Sequence, residues 1–474
     1  MAKVLFVQDI DLEFVGIQTL SACLKAKGHK TDLYSANSVK KQDELFDYVK
    51  KTKPDLVAFS IPSMGYEWTV DLAKKIKKEL NVYSAFGGPH PTYYPDFIET
   101  KGVEITCVGE GEGAMVELAN ALEKKDFNKI KTIKNIYYKD DKGKIYKNEL
   151  RDLIDVDSLP WPDRELHYKM FPHIQNFSNK RVVATRGCPY NCSFCFNTMY
   201  KEMYQGKGNY IRRRDPKKII EEIKYVRDHY GFKTLSFADE NFTTNRKWLY
   251  PLLDMYKKEV GIPFMVLGRF NEIDDELARK LKEAGCFFIS VGLESGNDYI
   301  RNKILNKGVT NAQIIKGAAA IKKYGIGLFT YNMLGLPHET IKEAFETLEL
   351  NAKIGVDVTI PTLLQPIKGT KLCDYIEKNG LLAKGFDLEH LKSHWQGVTV
   401  KTPHARQIEN LQNLFMLGIW YPKLIPLMKI LVYAPKNPLY KGFLNFSLLM
   451  KYRQTRMLGW FELITMAWKA RKNV

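Results

Sequence analysis

RGCPYNCSFCFN, residues 186–197, places Cys188, Cys192 and Cys195 within eight positions, while the other four of the chain's seven cysteines are scattered singly. Pro189, Tyr190 and Asn191 keep the first gap irregular, so the thiolates can converge instead of lying on separate helix faces. Structural zinc sites take four protein ligands and usually pair cysteines as C-x2-C. Three thiolates at C-x3-C-x2-C suit a [4Fe-4S] cluster with one iron left open. The plainer alternative is three buried or zinc-binding cysteines. Its fourth ligand would have to be Cys286 or Cys373, and neither stands in ligand spacing.

The loop follows a strand expected at residues 181–185. Further strands are expected at 234–237, 264–268, 287–292, 327–333 and 358–364, with amphipathic helices between them. Six parallel βα units predict an open, partial (β/α)6 barrel over 179–378. Upstream, short apolar runs at 3–7, 31–34, 55–60, 82–86 and 104–108 alternate with amphipathic stretches such as 16–27 and 68–80. They predict an α/β, doubly wound, flavodoxin-like domain over 1–135, whose ligands bind at the carboxyl ends of the strands. KDDKGKIYKNEL reads as a hairpin and DSLPWPDRELH carries two prolines, so 136–178 reads as a linker. Beyond Lys378 the pattern is helical, aromatic and basic, giving a C-terminal region over 379–474.

Hydrophobic residues are 45% and charged residues 27% of the 474, which suits globular domains with real cores. No window of about 18 uninterrupted apolar residues predicts a spanning helix. Acidic residues interrupt MAKVLFVQDIDLEF, which does not read as a signal peptide. Few, unpaired cysteines then predict a reducing, cytoplasmic setting. The net charge of +18 is uneven: residues 401–474 hold 12 Lys or Arg against Glu409 and Glu462.

CPYNCSFC, with aromatic Phe194 before its last cysteine, resembles the signature of the radical S-adenosylmethionine (SAM) superfamily. The resemblance continues in order. FADENF, with Asp239, Glu240 and Asn241, resembles the element that binds the methionyl amino group, and Arg269 ends the third strand. SVGLESG, with Glu294 and Ser295, resembles the ribose- and carboxylate-binding element. NMLGLPHET resembles the fifth-strand GLPGET element, with His338 at a position usually glycine, and QPIKGT resembles the turn after the sixth strand. The resemblance implies that Cys188, Cys192 and Cys195 hold the cluster. It implies that SAM lies among Phe194, Asp239, Glu240, Asn241, Arg269, Glu294 and Ser295. It also implies an electron donor such as flavodoxin or ferredoxin.

The N-terminal domain resembles the cobalamin-binding pattern D-x-H-x-x-G, S-x-L, G-G. Asp11, Glu13 and Gly16 follow the first strand, Ser60 ends the third, and Gly87 and Gly88 end the fourth. Glu13 stands where the cobalt-ligating histidine would be, so the resemblance implies cobalamin bound without a protein histidine. Met64, Tyr66 and Trp68 are candidates for its lower side. His90 is read as a loop residue near the corrin. An empty flavodoxin-like domain is the alternative. The methylthiotransferases of transfer RNA share this layout, but their first domain holds three cysteines. Here it holds Cys23 and Cys107, read as small core residues.

The C-terminal mixture of Trp, Tyr, Phe and Leu with Lys and Arg suits interfacial helices on anionic lipid, broken by Pro422, Pro426, Pro435 and Pro438. A helical cap over the barrel is the second reading; nucleic acid, the third, is not expected. The expected activity is C-methylation of an unactivated carbon in a hydrophobic small molecule, a lipid or natural product. The protein is then expected at the inner face of the membrane. Rearrangement, ring contraction or oxidative cyclisation of the porphyrin-cyclase kind stays open, as does a non-catalytic, membrane-associated cofactor sensor.

Overall fold

The computed structural model describes residues 1–36, 38–62, 65–386, 388 and 397–456. Met64 and residues 457–474 of the C-terminal region lie outside the described residues. The chain divides into two compact units. The first comprises Met1–Phe177 with Met199–Tyr210; the second comprises Ser178–Thr198 and the described residues from Ile211 on.

In the first unit, strands β1 (Lys3–Gln8), β2 (Lys30–Ser35), β3 (Leu56–Ser60), β4 (Tyr83–Gly87), β5 (Ile105–Cys107), β6 (Ile136–Lys139) and β7 (Ile145–Lys147) form one sheet, ordered β2-β1-β3-β4-β5-β6-β7. The first five are parallel. Their near-continuous burial explains the unbroken apolar runs: helices cover both faces, leaving no face for polar alternation. The strand order reverses between β1 and β3, the switch point where such sheets bind ligands.

The hairpin expected within a linker instead extends this sheet. β6 pairs antiparallel with β5, and β7 with β6. The Asp140 carboxylate shapes the turn by accepting the amides of Lys142 and Lys144 at 3.0 and 2.9 Å. The proline-rich segment is also anchored. Asp163 accepts from Ser21 Oγ at 2.5 Å, pairs with Lys25 at 2.6 Å, and donates its amide to the Gln18 carbonyl at 3.1 Å. Segment 199–210 joins through Tyr204, whose hydroxyl accepts from the Glu110 amide at 2.9 Å and Asn135 Nδ2 at 3.1 Å. This contact explains the glycine at 109: its φ is +80°, and a Cβ there would lie 2.0 Å from Tyr204 Oη.

The second unit holds β8 (Asn179–Val182), β9 (Thr185–Arg186), β10 (Arg212–Arg213), β11 (Thr234–Phe237), β12 (Phe264–Gly268), β13 (Cys286–Glu294), β14 (Gly327–Leu334), β15 (Val358–Thr359) and β16 (Thr362–Leu363). The parallel order is β15-β14-β13-β12-β11-β8, with β16 also on β14. Two expected strands differ. The first stops at Val182, and Thr185–Arg186 pairs antiparallel with β10. The sixth divides at Ile360-Pro361, because proline lacks the amide that a continuous ladder on β14 would need.

After Lys378 the chain is not helical throughout. Leu382 bridges Val400 before the helices Ala405–Trp420, Ile425–Leu431 and Pro438–Arg456. The first of these is a packed core helix: Ile408, Leu411 and Phe415 meet Ala344, Phe345 and Leu348. The prolines fall at helix starts and breaks, as the pattern predicts. No helix among the described residues is long and apolar enough to cross a membrane.

The turn after β14 explains the usual glycine at 338. His338 has φ +64°, a left-handed conformation that disfavours side chains, and its Nε2 lies 2.8 Å from the exposed Tyr375 hydroxyl. His338→Gly should therefore stabilise the unit by about 1 kcal/mol, the relieved strain exceeding one exposed hydrogen bond. The urea midpoint should rise with an unchanged slope; a lower midpoint would contradict this account.

Candidate functional site

Because β8, β11, β12, β13, β14 and β15 are parallel, the loops that follow them gather at one end of the second sheet. The cysteine loop leaves that end because β8 is cut short. Asp239 Oδ1 accepts the amides of Ala184, at 3.0 Å, and Thr185, replacing the next rungs of the ladder. Asp239 is fully buried, and burial pushes its carboxyl up to about 7 against the opposing amide bonds. The residue expected to bind the methionyl amino group thus also braces the backbone leading to the cysteines. Glu240 is exposed, with the Gly187 amide, Arg186 and Arg212 facing its carboxylate.

Each cysteine sulfur has hydrogen-bond donors. Cys188 receives the Tyr190 amide, Cys192 receives Arg269 Nη1 at 3.8 Å, and Cys195 receives Asn197 Nδ2 at 3.7 Å. Burial, with smaller contributions from the neighbouring thiols, pushes Cys188 up to about 11. Three such thiolates are stable together only around cationic charge. No group of three or more His, Cys, Asp or Glu among the described residues could hold a single metal ion. The donor set fits a cluster instead, whose three ligands bind three separate irons.

Asn241 and Arg269 belong to one network beside this loop. Asn241 Nδ2 donates to Glu272 Oε1 at 3.1 Å, and the Tyr190 hydroxyl donates to the same oxygen at 2.5 Å. Thr243 Oγ1 donates to Glu272 Oε2. Arg269 is buried; its guanidinium lies 3.7 Å over the Tyr190 ring, and its Nε donates to Asn271 Oδ1 at 2.8 Å. Glu272 and Tyr190 are members that motif matching did not single out.

SVGLESG follows from the crowding at the end of β13. Glu294 has φ +68° at a register shift, is buried, and pairs with buried Lys307 at 3.0 Å. Gly292 makes room for this pair: a Cβ there would lie 2.2 Å from Glu294 Oε1 and 2.6 Å from Lys307 Nζ. Gly296 lies against the helix Ile341–Lys353, where a Cβ would be 2.2 Å from the Glu346 carbonyl. Ser295 is fully buried. Its carbonyl accepts Arg301 Nη1 at 2.8 Å, while Arg301 Nε and Nη2 bind the Val309 carbonyl at 2.6 Å and Asp298 at 2.5 Å. The buried Arg301 is a loop clamp that no motif announced. Phe194 is half-buried, its ring 6.0 Å from Lys307 Nζ. In GLPHET, Glu339 accepts the amides of Gly335 and Leu336, and burial pushes it up to about 8.

In the first unit, a cleft at the β1/β3 switch point is lined by Asp9, Ser60, Pro62, Gly65, Tyr66 and Trp68. A Cβ on Gly16 would meet open space, so nothing there obstructs a large ligand. Gly88 has φ +94°, and its missing Cβ would lie 3.2 Å from the Ile61 carbonyl; Gly87 packs beside Cys107. The Asp11 carboxylate accepts from Ser35 Oγ at 2.5 Å. These residues fit a corrinoid held at the carboxyl ends of the strands.

Glu13, at the histidine's expected place, is buried and faces Arg164 of PWPDR, Oε1 to Nη1 3.8 Å. Beside it, His167 Nε2 lies 3.0 Å from Gln8 Oε1, and burial holds its imidazole down at about 4. His90 differs from the loop residue expected. It sits buried in the short helix Pro89–Tyr93, with ring centroids 4.0 Å from Tyr66, 4.8 Å from Tyr94 and 4.8 Å from Phe97. Burial lowers it to about 4, keeping it neutral. Cys107, Cys286 and Cys373 are buried and Cys23 is half-buried.

Removing one partner of a buried ion pair leaves a bare charge. Lys307→Met should therefore cost about 3–5 kcal/mol of stability. Adding Glu294→Gln should recover part of that loss in the urea midpoint, and additive losses would sink the coupling.

Two family models match the chain: the radical SAM superfamily over residues 182–350 and the B12 binding domain over 5–119. An uncharacterized methyltransferase of Pyrococcus horikoshii is 30% identical over 362 residues, covering 75% of this chain and 74% of that protein. The anaerobic magnesium-protoporphyrin IX monomethyl ester cyclase of Rubrivivax gelatinosus is 27% identical, covering 70% of this chain and 60% of its own length. Among solved structures, the cobalamin-dependent S-adenosylmethionine radical enzyme OxsB, with aqua-cobalamin and S-adenosylmethionine bound, superposes with TM-score 0.69 at 16% identity, covering 96% of this chain and 72% of that one. That likeness is one of fold. With its cysteine loop at the strand ends of the second sheet, the chain belongs to the radical SAM superfamily, in the branch that carries an N-terminal B12-binding domain.

Proposed function

We propose that the chain is a cobalamin-dependent radical SAM methyltransferase acting on an unactivated carbon of a hydrophobic small molecule. The observation that carries the reading is the loop of three cysteines, each sulfur supplied with N–H donors, at the strand ends that also present Asn241, Arg269 and Glu294. When bound, the cluster and SAM supply a 5′-deoxyadenosyl radical, and cobalamin supplies a methyl group.

In this reading Cys188, Cys192 and Cys195 each hold one iron, and Phe194, Glu240, Asn241, Arg269, Glu294 and Ser295 surround SAM. Asp239 orients the cysteine loop through its backbone bonds. Gly292, Lys307 and Arg301 keep the Glu294–Ser295 loop in one conformation, so SAM meets a prearranged surface. In the first unit Ser60, Gly16, Gly87 and Gly88 would hold the cobalamin. Asp11 shapes this rim through Ser35. Glu13, held opposite Arg164, stands where a cobalt-ligating histidine would otherwise be, and His90 supports the rim from within the aromatic cluster. The methyltransferase relative supports methyl transfer. The cyclase relative supports oxidative cyclisation as the second reading.

The hydrophobic-substrate reading rests on the C-terminal surface. Tyr421, Leu427, Ile430, Tyr433, Leu439 and Phe446 are exposed there, among Lys423 and Lys441. Leu427 and Ile430 share a helix face by their spacing, as do Leu439 and Phe446. Such a surface suits anionic lipid. The full chain should cosediment with phosphatidylglycerol vesicles, and Ile430→Asp with Leu439→Asp should weaken that binding at least tenfold. Equal partition of wild type and variant would discard the membrane reading.

Anaerobic reconstitution should give about four irons per chain. The loaded protein should bind cobalamin and release 5′-deoxyadenosine from SAM under reduction. Cys192→Ala should abolish this release while cobalamin stays bound. As cob(II)alamin, the bound cofactor should lack nitrogen superhyperfine splitting in its electron paramagnetic resonance spectrum. A loaded wild-type chain that never cleaves SAM would overturn the enzyme reading.

A further inference from the structure

The Arg269 guanidinium makes three contacts of different kinds around the cysteine loop. Nη1 donates to Cys192 Sγ at 3.8 Å. The guanidinium lies 3.7 Å from the centroid of the Tyr190 ring, and Tyr190 is itself a loop residue between Cys188 and Cys192. Nε is fixed on Asn271 Oδ1 at 2.8 Å. Arg269 is 5% exposed, so its charge acts on the sulfur with little water between. Nη2 is buried without a hydrogen-bond partner among the described residues. Glu272 faces the Tyr190 hydroxyl rather than the guanidinium, so its carboxylate is engaged by Tyr190, Asn241 and Thr243.

We propose that Arg269 is a positioning residue that sets the reduction potential of the cluster, through its N–H bond to Cys192 and its buried charge. This rests on the reading of Cys188, Cys192 and Cys195 as cluster ligands, and it assigns Arg269 a role before SAM binds. Adding an electron increases the negative charge spread over the cluster sulfurs. A buried cation and an N–H···S bond both stabilise that reduced form, so they raise the potential. The stack on Tyr190 and the bond to Asn271 hold the planar guanidinium edge-on to the sulfur, which a flexible lysine would not reproduce.

The test is a redox titration, followed by electron paramagnetic resonance, of the anaerobically reconstituted full chain without SAM. In Arg269→Gln the reduced-to-oxidised ratio at the wild-type midpoint should fall about tenfold, a shift of about 59 mV for one electron. Arg269→Lys, which keeps the charge, should fall less. Tyr190→Leu removes the stacking surface but neither the cysteines nor the arginine, and should also lower the ratio by a smaller factor. The inference is overturned if cluster-loaded Arg269→Gln stays within twofold of wild type. Should that variant fail to load, Tyr190→Leu within twofold of wild type overturns it instead. A wild-type chain that takes up no cluster would fail the ligand reading, a result distinct from an unshifted potential.

Discussion

The second unit depends on one carboxylate. Asp239 takes the amides of Ala184 and Thr185, which a longer β8 would have given to its neighbour strand. The strand therefore ends, the backbone turns, and the chain reaches Cys188 as a loop instead of a further rung. A buried carboxyl is expensive, and its upward shift records that cost. The amide bonds offset it, and the cysteine loop gains a fixed point of departure.

The same logic recurs around the rim. Each loop is held by a buried polar group acting on backbone or on one opposite charge: Arg301 on the Ser295 and Val309 carbonyls, Glu339 on the Gly335 and Leu336 amides, Lys307 on Glu294. Glycines at 292 and 296 leave room for these contacts. Buried polar groups with few alternative partners resist rearrangement, so the loops form a preset surface. Glu294 keeps a left-handed backbone there, a strain that the surrounding bonds over-determine.

The first unit handles its charges differently. Glu13 and Arg164 are both buried yet stand 3.8 Å apart. The segment that carries Arg164 also brings Asp163 to Ser21 and Lys25, so a stretch read as a linker closes over the loop after β1. His90 is kept neutral by the aromatic rings around it, which removes it from the exposed rim.

Sequence alone determined what is local. The C-x3-C-x2-C spacing, the strand periodicity and the glycine positions were legible because each depends on neighbours a few residues away. So the parallel strands of both sheets, the cysteine loop at a strand end and ligand binding at the carboxyl ends of the first sheet could be expected before any coordinates. The tertiary structure decided the partners. Asp239 meets Ala184 across 55 positions, and Glu13 meets Arg164 across a still longer gap. Tyr204 reaches Glu110 and Asn135 only after the chain has folded back on itself. Contacts at such separations leave no periodic trace, because loop closure sets no preferred spacing along the chain. The same is true of the hairpin: its turn residues marked it, but only the free edge of β5 gave it a place in the sheet.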